Sequence, residues 1–318
     1  MDSIQARRQL NTKINQAKKI LLLTDERKDG DTLGSSLALY HYLRSLGKTA
    51  KVFSLEPLPS DLMFLPGASA ITRDPQIFQE PWEIVIALDS SRDVYIKHLT
   101  SWLKEPAELL VIDHHASNPL YGDLNLVEPS FSSTAEQLYC FFETNRLAIT
   151  AEIATCLLTG ILSDTGYFAH ASSSKVLMAA AGLLKAGASY PKIARFLSRS
   201  KSFEFLALWG RALERLVLSS EWGMATTFIL PEDTKGLDLN DESMEGLYGL
   251  LKSLKVPSFV ILRDLGNGQI KGSCRTEDDL LNFAKFFGGG GHVKACGFTI
   301  RGRLEKVEEN WQIIPFRR

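Results

Sequence analysis

Two carboxylates separated by one glycine, Asp29-Gly30-Asp31, stand ahead of three further acidic positions: Asp89, Asp113-His114-His115 and Asp164. Each closes an apolar stretch of the chain. Hard divalent cations take carboxylate oxygens, and imidazole is a borderline ligand that suits first-row transition metals. Five Asp with one or two His, all at the ends of buried runs, suffice for two ions. Two ions side by side serve phosphoryl-transfer chemistry. Singly, each position has a plain structural explanation. Asp29-Gly30-Asp31 could be a solvated loop or a helix start, Asp89 and Asp113 could be caps, and Asp164 could be a helix-end turn. Their conjunction points to a metal site.

Such positions need a frame to hold them. Residues 19–24 (KILLLT), 83–88 (EIVIAL) and 109–112 (LLVI) are continuous apolar runs, the pattern of parallel strands covered on both faces. Residues 51–55 form a further strand, and 32–46 read as a helix stopped by Gly47. Ser133-Thr134-Ala135-Glu136 has capping-box spacing and opens a helix to about Glu143. Residues 151–162 and 174–185 give two more helices. Strands alternating with helices predict a doubly wound α/β fold with a mostly parallel sheet over residues 1–188. Ligands of such sheets bind beyond the carboxyl ends of the strands. Residues 25–31, Asp89 and 113–115 all fall there. Residues 189–220 are expected to be a helical linker, and 221–318 a smaller α+β domain. In the latter, 259–264 and 269–275 flank Gly266-Asn267-Gly268, a hairpin signal. A helix at 278–287 then runs into four glycines and His292.

Composition narrows the function classes. The 318 residues are 45% hydrophobic and 23% charged, which fits a globular chain with core enough for two domains. A net charge of −1 excludes a broad basic face, and with it long duplex DNA as the main ligand. A short nucleotide held in a pocket stays open. Cys140, Cys156, Cys274 and Cys296 form no CxxC pair and read as reduced thiols of a cytoplasmic protein. The polar N-terminus does not look like a signal peptide, and no apolar run approaches a membrane span. His41 and His98 read as structural, whereas His170 is a further candidate for lining the site.

The order DGD, lone Asp, DHH, then Ser163-Asp164-Thr165-Gly166 resembles the DHH phosphoesterase superfamily. The segment GGGGHVKACGF at 288–298 resembles the GGGH signature of that superfamily's associated C-terminal domain. Residues 33–39, 132–136 and Ser273-Cys274-Arg275 support the match, which spans about residues 15–300. It is nearest to the oligoribonuclease subgroup, nano-RNase-like enzymes that also hydrolyse 3′-phosphoadenosine 5′-phosphate. The resemblance implies metal-dependent hydrolysis of very short single-stranded oligonucleotides or nucleotides, with no membrane partner. A phosphodiesterase acting on cyclic or linear dinucleotides is the alternative.

The resemblance also implies roles. Two divalent ions are expected, with manganese the leading choice. Asp29 and Asp89 would hold one; Asp31, Asp89, His114 and Asp164 would hold the other. His115 would face the scissile phosphate or the leaving group, and Asp113 would orient a histidine. Arg275 and His292 would grip substrate, with Gly289, Gly290 and Gly291 letting the backbone approach it. The family's pattern has a metal-binding His where this chain has Asp25, and an Arg where it has Ala169. Asp25 is read as a ligand in place of that His, with Arg27 and Lys28 as cations where phosphates arrive. The same departures sustain a third reading, a nucleotide-binding protein of low activity. The assembly is left between monomer and homodimer.

Overall fold

The computed structural model describes residues 3–169, 173–197, 203–219, 223–237, 241–252, 256–276, 278–307 and 310–315. The chain folds into two compact units, Met1–Ser200 and Lys201–Arg318.

The first unit runs α1 (Ser3–Gln16), β1 (Lys19–Leu23), α2 (Gly30–Ser45), β2 (Thr49–Phe53), β3 (Ile71–Thr72), β4 (Ile84–Leu88), α3 (Asp93–Thr100), β5 (Glu108–Asp113), β6 (Leu124–Val127), α4 (Thr134–Thr144), α5 (Ala151–Asp164), α6 (Ser174–Lys185) and α7 (Tyr190–Leu197). Its six strands are all parallel, in the order β3-β2-β1-β4-β5-β6. The apolar runs are continuous because both faces are covered. Ile20, Leu22, Ile86 and Ile112 pack into one core with α1, α2, α4, α5 and α6. Leu21, Leu23, Val85 and Val111 point the other way, toward Phe78, Trp82 and Ile96. Each such fully buried Leu or Ile contributes roughly 1.5–3 kcal/mol. The expected doubly wound sheet is therefore present. Sequence reasoning passed over β3 and β6, of two and four residues, which are too short to carry a pattern.

The strand order has a consequence for function. From β1 the chain proceeds outward to β2 and β3; from β4 it proceeds the opposite way, to β5 and β6. Strands β1 and β4 are neighbours, so the loops leaving their carboxyl ends diverge and open a crevice between them. Asp25 follows β1 and Asp89 follows β4 directly.

The second unit contains α8 (Phe203–Glu214), β7 (Val217–Ser219), β8 (Met224–Ile229), α9 (Asp241–Lys252), β9 (Ser258–Asp264), β10 (Gln269–Thr276), α10 (Leu281–Phe286), β11 (Gly290–His292), β12 (Ala295–Arg301), β13 (Arg303–Val307) and β14 (Asn310–Ile314). A mixed sheet runs β11-β12-β10-β9-β8-β7, antiparallel except between β8 and β9. The hairpin read from Gly266-Asn267-Gly268 joins β9 to β10. Helices α8 and α9 cover one sheet face at Ala225, Phe259 and Ile261. On the opposite face, Ala284 of α10 packs with Cys274, Cys296 and Phe298. The stretch expected as a linker is shared out: Ile193 of α7 lies in the first unit's core, and Leu208, Trp209 and Ala212 of α8 lie in the second's. All four cysteines are free thiols, and Cys274 faces Cys296 across β10 and β12.

Candidate metal centre

The centre is assembled where α2 begins and α5 ends. Asp29 is the N-cap of α2, one carboxylate oxygen accepting the Asp31 and Thr32 amides at 2.9 Å each. Asp31 lies in the first helical turn rather than in a loop. Gly30 is helical too, so its role is close approach and not a turn. A Cβ at Gly30 would come within 2.6 Å of Ser163 Cβ, and one at Gly34 within 2.4 Å of the Cys156 carbonyl oxygen. A Cβ at Gly160 would meet Asp31 Oδ1 at 2.7 Å. Missing side chains on both helices let α2 and α5 touch, and this brings Asp31 near Asp164.

The start of α4 fixes the carboxylates further. Thr134 and Ala135 donate their amides to the two oxygens of Asp31, at 2.7 and 2.8 Å. Thr134 Oγ1 donates to Asp89 Oδ1 at 2.9 Å, and Thr32 Oγ1 to Asp89 Oδ2 at 2.6 Å. Asp89 adopts φ 57°, a left-handed conformation that Asp tolerates better than most residues. That backbone turns the side chain off the end of β4 toward α2 and α4.

Asp113, the last residue of β5, is fully buried. Its Oδ1 accepts from the His115 Nδ1 side at 2.7 Å and its Oδ2 from Asn118 Nδ2 at 2.7 Å. These bonds outweigh burial and hold the Asp113 carboxyl below its usual range. The Asp113 hydrogen bond, against the cost of burial, lifts His115 to about 9. His114 turns inward instead, its Nε2 3.1 Å from Asp164 Oδ2 and 3.7 Å from Asp89 Oδ1. Burial pulls His114 down, but the Asp164 bond and the Asp89 charge raise it overall.

Two sets of donor atoms lie within 4.8 Å of one another: Asp89, His114 and His115, and Asp31, His114 and Asp164. Asp29 and Asp25 belong to neither set. Among the described residues, no Lys or Arg forms a salt bridge with Asp29, Asp31, Asp89 or Asp164. Burial, then the mutual repulsion of these carboxylates, raises Asp31 well above the carboxylate range and Asp89 to about 7. Asp29, open to solvent on one side, is raised by desolvation from the surrounding protein and by Asp164. Oxygen donors with one imidazole, crowded and without a protein cation, fit a hard or borderline divalent ion.

A stability prediction follows. Asp89 holds its proton to about 7 when folded, against 3.8 when free. The folded metal-free protein thus binds more protons in that window, and its stability falls as pH rises through it. Melting of metal-free protein is expected at lower temperature at pH 8 than at pH 5, with added Mn²⁺ raising Tm more at pH 8. A Tm in chelator that is flat or rising over this range contradicts the reading.

Asp25 departs from its expected place. It is buried, Ser90 Oγ donates to its Oδ1 at 2.7 Å, and the Arg27 amide donates to its Oδ2 at 3.2 Å. These bonds fix the loops after β1 and β4 and leave each oxygen a further lone pair, as the bonds on Asp31 and Asp89 do; what sets Asp25 apart is that it lies in neither donor set. Asp25→Ala is expected to retain bound metal and lose about 10–100-fold in turnover, a cost of positioning only. Loss of metal from that variant, measured by elemental analysis, would restore the ligand reading.

The family model "DHH family, N-terminal domain" matches residues 19–161. The bifunctional oligoribonuclease and PAP phosphatase NrnA of Thermus thermophilus is 35% identical over 289 residues, covering 89% of this chain and 84% of its own. This chain belongs to the DHH family. The crystal structure of an exopolyphosphatase-related protein from Bacteroides fragilis superposes with a TM-score of 0.77 at 26% identity, covering 92% of this chain and 90% of that one. A probable manganese-dependent inorganic pyrophosphatase of Streptococcus mutans is 29% identical over 156 residues, only 46% of this chain and 48% of its own.

The remaining DHH-type candidates lie in the second unit. Arg275, on β10, sets its guanidinium carbon 4.3 Å from the centroid of the Tyr248 ring. His292 ends β11 and is exposed. The glycines divide. A Cβ at Gly289 would meet the Gly297 carbonyl oxygen at 2.0 Å, and one at Gly291 (φ 129°) the Ala295 carbonyl oxygen at 2.7 Å. Both are bare because β11 lies against β12. A Cβ at Gly290 would meet nothing within 4 Å, so of these three only Gly290 leaves room toward solvent. His170 lies outside the described residues. Sequence reasoning missed Thr32, Thr134 and Asn118, which hold Asp89 and Asp113. The signal for Thr134 was the Ser-Thr-Ala-Glu start of α4, read as a cap and as a supporting match to the family, with no role given to its hydroxyl.

Proposed function

We propose that the chain is a metal-dependent phosphodiesterase of very short oligonucleotides, with 3′-phosphatase action on 3′-phosphoadenosine 5′-phosphate as a second activity. The observation that carries this reading is the convergence of Asp31, Asp89, His114 and Asp164 without a basic partner, in a chain so close to a relative of that name. Those residues, with Asp29 at the rim, would hold two divalent ions, manganese being the expected one. When bound, such ions neutralise phosphate oxygens and lower the pKa of water. His115 has the proton for the leaving oxygen: Asp113 fixes its ring and keeps it charged at neutral pH. On this reading buried Asp113 would orient that histidine. Arg275, His292 and Gly290 would receive substrate. The four free thiols fit a reducing compartment, and the cytoplasm is the proposed location.

The deciding experiment is turnover of a diribonucleotide, a 24-mer RNA, 3′-phosphoadenosine 5′-phosphate, a cyclic dinucleotide and pyrophosphate, with and without Mn²⁺. Fast release of mononucleotides from the diribonucleotide, dependent on Mn²⁺, is expected. No turnover with metal fully bound leaves the low-activity binding protein, and preference for the cyclic dinucleotide leaves the signalling phosphodiesterase.

A further inference from the structure

His114 turns Nε2 toward Asp89 and Asp164, and its other ring nitrogen has a partner of its own. Nδ1 lies 3.4 Å from the backbone carbonyl oxygen of Phe131. A carbonyl only accepts, so the proton of this contact is on Nδ1, and Nε2 is left for an ion. At 3.4 Å the bond is long, and a small displacement of Phe131 would break it. Whatever holds Phe131 therefore governs how the imidazole is presented.

Phe131 closes a turn with Glu128, its amide donating to the Glu128 carbonyl oxygen at 3.2 Å. Glu128 follows β6, and its own amide donates at 3.1 Å to the carbonyl oxygen of Asp113, the residue before His114. Pro129 and Ser130, in the middle of the turn, are exposed. Both ends of the turn meet one side chain from the far end of the sequence. Arg7 of α1 is buried, and its Nη2 donates to Glu128 Oε1. The same guanidinium sets its carbon 5.4 Å from the centroid of the Phe131 ring. Helix α1 is seated by Leu10 and Ile14 in the first unit's core. Asn145, at the end of α4, donates to the Arg7 carbonyl oxygen at 3.3 Å. Fastening α1 to β6 would need only the ion pair. The added ring contact places the cation on the residue whose carbonyl receives His114. Arg7 stands before residue 19, where the family model's match begins.

We propose that Arg7 is a positioning residue for the metal centre, acting through His114. By gripping Glu128 and Phe131 together, it sets the Phe131 carbonyl where it receives Nδ1–H. That bond fixes the tautomer and the rotation of the imidazole, so that Nε2 faces the ion held with Asp31 and Asp164. The inference rests on the reading of His114 as a metal ligand.

The test is a double-mutant cycle in Mn²⁺ affinity, measured on the full chain by the EPR signal of unbound Mn²⁺. Arg7→Met/Glu128→Gln removes both members of the buried pair, so no lone carboxylate is left behind. This variant should bind Mn²⁺ about tenfold more weakly, and His114→Gln at least as weakly. If Arg7 acts through His114, the combined protein binds Mn²⁺ no more weakly than His114→Gln alone, whereas a merely structural loss adds to it. Phe131→Leu removes only the ring, so it tests the clamp even where the pair variant does not fold, and it should weaken binding with the same dependence on His114. A second readout is the long-range ¹H–¹⁵N spectrum of Zn²⁺-loaded protein, with the His114 signals assigned by their loss in His114→Gln. The Nδ1 proton should be held in wild type and exchange with water in the Arg7 and Phe131 variants. Unchanged affinity in these variants, or additive losses in the combined protein, overturns the positioning role. If His114→Gln itself keeps wild-type affinity, the metal reading of His114 falls and takes the proposal with it. If His114→Gln weakens binding and the Arg7 and Phe131 variants do not, only the clamp falls.

Discussion

Asp89→Asn is expected to reduce turnover by about a thousandfold or more while leaving the melting temperature of the metal-free protein nearly unchanged or raised. Asn keeps the size of the side chain and tolerates the left-handed backbone of φ 57° at this position. It retains an oxygen for one of the threonine hydroxyls that Asp89 now receives. What it removes is one negative charge from a buried acidic cluster. The folded metal-free state gains from that loss, since the charge is uncompensated by any Lys or Arg pairing among the described residues. A bound divalent ion loses a carboxylate that sits 3.7 Å from His114 and 3.8 Å from His115. Metal content and kcat should fall together, and His114→Ala should behave similarly. Asp89→Asn protein with near-wild-type rates at saturating Mn²⁺ would show that this residue only shapes the crevice.

Gly34→Val should destabilise the protein by about 3 kcal/mol and uncouple its metal centre even under conditions where it stays folded. The new Cβ would lie 2.4 Å from the backbone oxygen of Cys156, an atom that cannot rotate away. Relief requires α2 and α5 to part, and that movement carries Asp31 away from Asp164. The control is Gly210→Ala in α8, where a Cβ meets nothing within 4 Å. There the change should stabilise by about 0.5–1 kcal/mol through helix propensity. Denaturant unfolding of both variants gives the comparison, and a Gly34→Val protein as stable as wild type would show that the helices can separate without cost.

Much of the first unit could be read from the chain because its strands are buried on both faces, and such runs are visible without knowing their partners. Acidic motifs were legible for a related reason: each follows a run that ends abruptly. What could not be read depended on register or on helix-to-helix distance. Asp29-Gly30-Asp31 reads equally as a loop or a helix start until Ser163 is found beside Gly30. Asp25 reads as a ligand by its position in the motif, whereas the donor atoms that crowd together are those of other residues. Arg263, Lys271, Arg275 and Arg301 of the second sheet are scattered along the sequence and form no basic run. Only the pairing of β10 with β9 and β12 gathers them on one face, which is why net charge and local sequence gave no hint of it.

The span of sequence that builds the centre bears on how it is born. Asp31 is on the first helix after β1, whereas Asp164 is the last residue of α5, and Thr134 lies between them. A ribosome adds residues one after another, and domains tend to fold as units as they emerge. A nascent chain that has exposed only β1 and α2 holds a pair of carboxylates that no third donor can join. The donor set of Asp31, His114 and Asp164 therefore stays incomplete until α5 has left the exit tunnel, whereas that of Asp89, His114 and His115 is on the chain earlier. Asp31, which accepts the first amides of α4, thus serves the closing of the unit as well as the donor set, and the late-made half of the centre is completed by the same helix that completes the fold.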